Sequence, residues 1–134
     1  MPVIYQIDKT RKLIRTQCIG AVTFKEVTDH FRLLEQDPDC PERLDVLLDL
    51  TAMGSMPESI ELIAVSQEIG RIRGRVRFNA CAIVVQTDAL FGMIRMFEVF
   101  VEGQFDLTKV FRTVNDAETW LILQKEIAAR NPNA

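Results

Sequence analysis

The chain has 134 residues, about half of them apolar and a quarter charged, which is typical of one globular domain spanning 1–134 with its own core. The net charge of −3 argues against nucleic acid as the main partner. The chain shows no secretory pattern at its start and no apolar run long enough to span a membrane, so we expect a soluble, cytoplasmic protein.

The chain opens with a predicted antiparallel hairpin. Two segments with an alternating apolar pattern, Val3–Asp8 and Leu13–Ile19, flank a polar turn. Thr23 and Glu26 then form a capping-box pattern ahead of an amphipathic helix, which we expect to end near Pro38.

Strands and helices alternate in the middle of the chain. A strand buried on both faces is predicted over Asp45–Leu50, and Pro57 suits the first turn of the helix after it. Phe78–Gln86 is the most strand-like segment, and it precedes a helix that Asp88 can cap and Gly103 can end.

The last two predicted elements are a strand over Leu107–Arg112 and a helix. Asn115 and Glu118 give this helix a capping-box-like start, and we expect it to end at Asn131-Pro132. The order is therefore β-β-α-β-α-β-α-β-α, which predicts an α/β fold with a mixed five-stranded sheet and four helices.

Several segments resemble one known family. Val46–Met53 resembles the central strand and following loop of STAS domains, the sulfate-transporter and anti-sigma-factor-antagonist modules. The whole chain is similar to their bacterial relatives, the SpoIIAA-like small proteins. The matching segments are Ile4–Asp8, Leu13–Thr16, Phe91–Glu98, Val110–Arg112 and Ala117–Leu121. The resemblance implies helices stacked mainly on one face of the sheet, and for most small relatives it implies no established activity.

The resemblance also implies a candidate phosphorylation site. STAS anti-sigma-factor antagonists bind a partner kinase and are switched by phosphorylation of a serine at the start of the helix after the central strand. Ser59 falls on that position, although Pro57, Glu58 and Ile60 depart from the Met-Asp-Ser-Ser-Gly-like pattern. A phosphate there would meet the positive end of a helix. The alternative is a solvated serine in a first helical turn.

The loop before Ser59 is a candidate interaction or ligand loop. It is small, apolar and flexible in composition, and it follows the carboxyl end of a strand, where open α/β sheets place binding crevices. Its candidate residues are Thr51, Met53, Gly54, Ser55 and Met56. The alternative is that its methionines form the edge of the core.

Four alternating arginines, Arg71, Arg73, Arg75 and Arg77, form a candidate anion-binding segment. Guanidinium groups suit phosphate, and on an extended segment all four would lie on one side. The alternative is a solvated loop in which Arg71 interacts favourably with a helix C-terminus.

The helix after Asp88 is apolar on nearly all sides, because only Arg95, Glu98 and Glu102 interrupt it. A second subunit, an apolar ligand or neighbouring helices must cover the excess, and among the functional readings we place a homodimer first. The candidate surface consists of Phe91, Ile94, Met96, Phe97 and Phe100.

No complete catalytic or metal-binding constellation is visible, and no cofactor motif. His30 is the only histidine, so we interpret it as a partly buried structural residue. The three cysteines are scattered and show no C-x-x-C spacing, which indicates reduced thiols.

The leading hypothesis is a non-enzymatic, STAS-like regulatory or protein-interaction module, homodimeric, with a kinase or another regulator as its partner. The alternative is a small carrier whose apolar helix holds a lipid-like tail and whose arginines hold an anionic head. An enzyme of an unrecognised type is the third hypothesis. An interaction module predicts a packed core, whereas a carrier predicts an apolar cavity of roughly several hundred Å³.

Overall fold

A computed structural model describes residues 2–130 of the chain. The strands are β1 (Val3–Asp8), β2 (Leu13–Cys18), β3 (Arg43–Asp49), β4 (Arg77–Val84) and β5 (Leu107–Phe111). The helices are α1 (Phe24–Gln36), α2 (Ser59–Arg71), α3 (Asp88–Phe100) and α4 (Val114–Arg130), with a 3₁₀ turn at Ile72–Gly74. The predicted order of strands and helices is confirmed. The predicted helix end at Asn131-Pro132 lies outside the described residues.

The strands form one sheet in the order β1-β2-β3-β4-β5. β1 and β2 pair antiparallel, and every later pair is parallel. Because parallel crossovers share one hand, consecutive crossovers between neighbouring strands bring their helices to the same face. The helices α1, α2 and α3 therefore pack together on one face, which we call the three-helix face.

The helix α4 follows the last strand and packs alone on the opposite face, which we call the second face. It lies against β3, β4 and β5, where Ala82 and Ala117 are fully buried and let the helix approach the sheet closely. The prediction of helices mainly on one face is confirmed. None of the helices within residues 2–130 has the length and apolar character needed to cross a membrane.

A buried carboxylate interrupts the ladder between β3 and β4. The register shifts between Leu44 and Val46, and Asp45 Oδ1 accepts the N–H of Ala80 at 3.2 Å. Lys125 Nζ on α4 lies 3.5 Å from Asp45 Oδ2. This irregularity therefore joins the sheet to the far end of α4.

Threonines begin the last two helices, in place of the predicted caps. The hydroxyl oxygens of Thr87 and Thr113 accept the N–H three residues on, at 3.2 Å and 3.1 Å. Asp88 and Asn115 were predicted as caps. Asp88 is instead the first residue of α3, and Asn115 is the second residue of α4. Both predicted starts are therefore wrong by one or two residues.

Candidate ligand cavity

An apolar cavity of about 170 Å³ lies between the three-helix face of the sheet and the helices α1 and α2. Its walls include Ile14, Val46 and Cys81 from the sheet and Val27, Leu62 and Val65 from the helices. Valines on both sides of the space have short branches, so the two layers meet without filling it.

Five polar side chains line this cavity, and three of them, Thr23, Ser55 and Glu61, already form hydrogen bonds within the chain. The other two are Thr16 and His30. Thr16 on β2 is only 5% exposed, and its hydroxyl forms no hydrogen bond with any other residue in 2–130. The ring of His30 packs edge-on against Tyr5 with ring centroids 5.2 Å apart. Burial lowers the pKa of His30 to about 4, so the imidazole is neutral at pH 7. A mainly apolar guest with one polar group could hydrogen-bond to either side chain.

The loop after β3 forms part of the cavity rim, and hydrogen bonds tie it to the β2–α1 connection. Gly20 donates its N–H to the carbonyl oxygen of Ala52 at 2.9 Å, and Gly54 donates to the carbonyl oxygen of Gly20 at 2.8 Å. Ser55 Oγ accepts the N–H of Val22 at 3.0 Å. Gly20 has a φ of +69°, which only glycine adopts readily. The loop is therefore held from one side, in contrast to the flexible loop that its composition predicts.

The candidate loop residues divide between this rim and local contacts. Met53, Ser55 and Met56 line the cavity, and Met56 is 47% exposed. Thr51 instead donates its N–H and its hydroxyl to Asp49 Oδ1, at 2.9 Å and 2.6 Å. Gly54 lies against the backbone of the β2–α1 connection. The loop thus contributes three of its five candidate residues to one site.

Ser59 is the first residue of α2, and its side chain is exposed. Pro57 precedes the helix, so its predicted place in the first turn is wrong. The N–H of Glu58 donates to Glu61 Oε1 at 3.0 Å. The next residue, Ile60, is 71% exposed. The hydroxyl of Ser59 is accessible beside an exposed apolar side chain.

The structure does not bring the four candidate arginines together. Residues Ile72–Gly74 form a 3₁₀ turn, so the four arginines do not lie on one extended segment. The partners are Glu35 and Glu68 for Arg71, the carbonyl oxygen of Gly103 for Arg73, the carbonyl oxygens of Asp37 and Cys40 for Arg75, and Asp106 for Arg77. Each guanidinium therefore has its own local partner, and none lines the cavity.

The candidate surface on α3 is mostly covered by the rest of the chain. Ile94 and Phe97 are buried and line the cavity. Phe91 and Phe100 are half-buried, and Met96 is 41% exposed. Of the alternatives for the apolar excess, contact with neighbouring elements accounts for most of the helix. A homodimer stays a prediction.

The cavity offers apolar contact and hydrogen bonds. Burial raises the pKa of Cys18 to about 11 and also raises the pKa of Cys81, so both thiols are protonated at pH 7 and are poor nucleophiles. Within residues 2–130, no three His, Cys, Asp or Glu side chains lie close enough together to hold a metal ion.

A solved structure has the same architecture. It is an uncharacterized protein of the DUF3478 family with a SpoIIAA-like fold, from Shewanella loihica PV-4. The two match with a TM-score of 0.60 over 89% of this chain and 91% of that chain, at 20% sequence identity. This chain has a SpoIIAA-like fold. Neither a protein-family model nor a curated protein matches the sequence. At 20% sequence identity, the similarity between the two proteins shows a shared fold alone.

Proposed function

We propose that this SpoIIAA-like domain binds a small, mainly apolar molecule in the cavity between its sheet and the helices α1 and α2. The observation that carries the proposal is the cavity itself, at about 170 Å³. Protein interiors seldom leave spaces much larger than one water molecule. An apolar cavity of about 150 Å³ stays dry and admits benzene. The cavity is smaller than the roughly several hundred Å³ expected of a lipid carrier, but it is larger than a fully packed interaction module would leave, so it supports a carrier of a small guest.

The site defines the guest more narrowly than a lipid with an anionic head. The cavity is smaller than a typical drug-sized pocket of roughly 300 Å³ or more. The four candidate arginines lie elsewhere, so no cationic group inside it would hold a phosphate. Thr16 and His30 supply uncharged hydrogen-bonding groups. The guest is a single ring or a short aliphatic chain with one hydroxyl, carbonyl or amine group.

A matched pair of variants tests this proposal. Val65→Phe adds a ring at the wall of the cavity, whereas Val99→Phe adds the same ring at a position that is 65% exposed on α3. Binding of indole and of hexanol is followed by methyl NMR, and native mass spectrometry detects any guest that co-purifies. We expect wild type and the Val99 variant to bind and the Val65 variant to lose binding.

Failure of the proposal has a separate signature. If the cavity has no guest, the wild type binds neither indole nor hexanol. Val65→Phe then raises the melting temperature, because the ring fills an unoccupied space. The milder variant Val65→Leu covers the case in which the phenylalanine variant does not fold. It should weaken binding of the larger probe, indole, more than binding of hexanol.

A second candidate function, a regulatory protein-interaction module, is supported by the start of α2. The exposed hydroxyl of Ser59 lies next to Ile60, and an exposed apolar side chain beside a modifiable serine suits a partner whose affinity changes with charge. Mass spectrometry of protein from its own host should then find a phosphate that Ser59→Ala removes. A homodimer through α3 predicts that Val99→Glu lowers the mass measured by light scattering.

A further inference from the structure

The second face of the sheet is only partly covered. The helix α4 lies mainly on β3, β4 and β5 and also covers Leu13 at the start of β2, which leaves the same face of β1 and the later part of β2 without a helix above it. A groove of about 380 Å³ occupies this position, between the open strands and the start of α4. It is separated by the sheet from the apolar cavity on the three-helix face.

The strand register explains why the floor of the groove is polar. Gln6 on β1 lies opposite Arg15 on β2, and one step along the same face Gln17 on β2 lies opposite Asp49 on β3. Neighbouring strands are about 4.8 Å apart, so these four side chains form one contiguous surface. Val114, the first residue of α4, forms the adjoining wall.

These side chains have hydrogen-bonding capacity that the fold does not use. A guanidinium carries five N–H donors, and Arg15 forms a side-chain hydrogen bond only with Glu118 among residues 2–130. The amide nitrogen of Gln17 reaches Asp49 Oδ2 at a long 3.5 Å. Gln6 is exposed, and its side-chain amide forms no hydrogen bond with another residue in the described part of the chain.

The geometry points to a binding site for a small organic acid that also carries amine, amide or hydroxyl groups, of the size of one amino acid. Arg15 and the nearby positive end of α4 favour the carboxylate of the ligand. Asp49 Oδ2 and the two glutamine amides accept hydrogen bonds from its donor groups. The groove lies toward the carboxyl ends of the parallel strands β2 and β3, the edge at which open α/β sheets bind ligands.

NMR titration of the whole chain with amino acids and small hydroxy acids, each up to about 10 mM, tests this site. We expect at least one of these acids to shift the amide signals of Gln6, Gln17 and Asp49 with a Kd below about 1 mM. Arg15→Gln should weaken that binding about tenfold or more, because a charged hydrogen bond is lost. Glu118→Gln should strengthen it, because the guanidinium loses its competing carboxylate.

Arg112→Gln is the matched control, since Arg112 is likewise paired with a carboxylate, Asp88, but lies outside the groove. The proposal is overturned if no acid moves these signals, or if the Arg15 variant binds as tightly as wild type. Gln17→Ala repeats the test where the Arg15 variant does not fold. Indole binding in the same samples reports on the opposite face, so the two sites succeed or fail separately.

Discussion

The stability of this SpoIIAA-like domain should fall between pH 7 and pH 5 because of His30. Burial lowers the pKa of this imidazole from its ordinary 6.5 to about 4. Between these values the unfolded chain binds a proton that the folded chain does not. Acid therefore favours the unfolded state, and the stability present above pH 6.5 is lost progressively as the pH falls toward 4.

The size of the effect follows from the same two pKa values. With a folded pKa of about 4 and an unfolded pKa of 6.5, the free energy of unfolding should fall by about 2 kcal/mol between pH 7 and pH 5. The Tyr5 hydroxyl donates to Asp37 and lowers the pKa of that carboxyl below its ordinary 3.8. Stability from that carboxylate is lost only at more acidic pH, so it does not enter this window.

Urea unfolding at pH 7 and pH 5 measures this change in wild type, His30→Phe and His30→Gln. His30 is the only histidine, so neither variant retains an imidazole that titrates in this range. We expect the wild type to lose about 2 kcal/mol more than either variant. An equal loss in all three proteins would refute the assignment of a half-buried, neutral imidazole.

Three further predictions concern the fold. Asp45→Ala should lower the free energy of unfolding by about 1–3 kcal/mol, because the buried N–H of Ala80 loses its acceptor. Asp45→Asn, which keeps an acceptor, should cost less in the same urea titration. Thr23→Ala should cost about 1 kcal/mol, because the cap of α1 is removed, and an unchanged unfolding midpoint would contradict the cap. All three cysteines are buried, so the native protein at pH 8 should react slowly with a thiol reagent and the unfolded protein rapidly. A fast-reacting native thiol would show that one of them is accessible.

Much of the fold could be predicted because its signals are local. Alternation marks the hairpin, a continuous apolar run marks β4, and the Thr23–Glu26 box marks the start of α1. The predicted starts of α3 and α4 are wrong because each predicted cap has a threonine one or two residues upstream. Thr87 and Thr113 can cap a helix, as can Asp88 and Asn115. Where several short polar side chains that can cap lie close together, the first residue of a helix is ambiguous.

The sites were less predictable because they depend on residues distant in sequence. The loop that contains Met53, Ser55 and Met56 was predicted from its position after a strand. The space behind it is lined by Val27 of α1 and Val65 of α2, which come together only when the two helices pack on the sheet. In the arginine segment, by contrast, the sequence shows a pattern that the structure lacks. Its alternation is typical of an extended segment. The turn at Ile72–Gly74 breaks the alternation and gives each guanidinium a separate direction.

The two proposed sites have different structural origins, and this difference decides how each responds to mutation. The order of the strands commits α1, α2 and α3 to one face, so α4 alone must cover the other. A helix is about 10 Å across and strands lie about 4.8 Å apart, so one helix cannot cover five strands. The groove over β1 and β2 therefore follows from topology, and substitutions can change its chemistry without removing it. The apolar cavity is lined by valines from the sheet and from two helices, so a single larger side chain can close it.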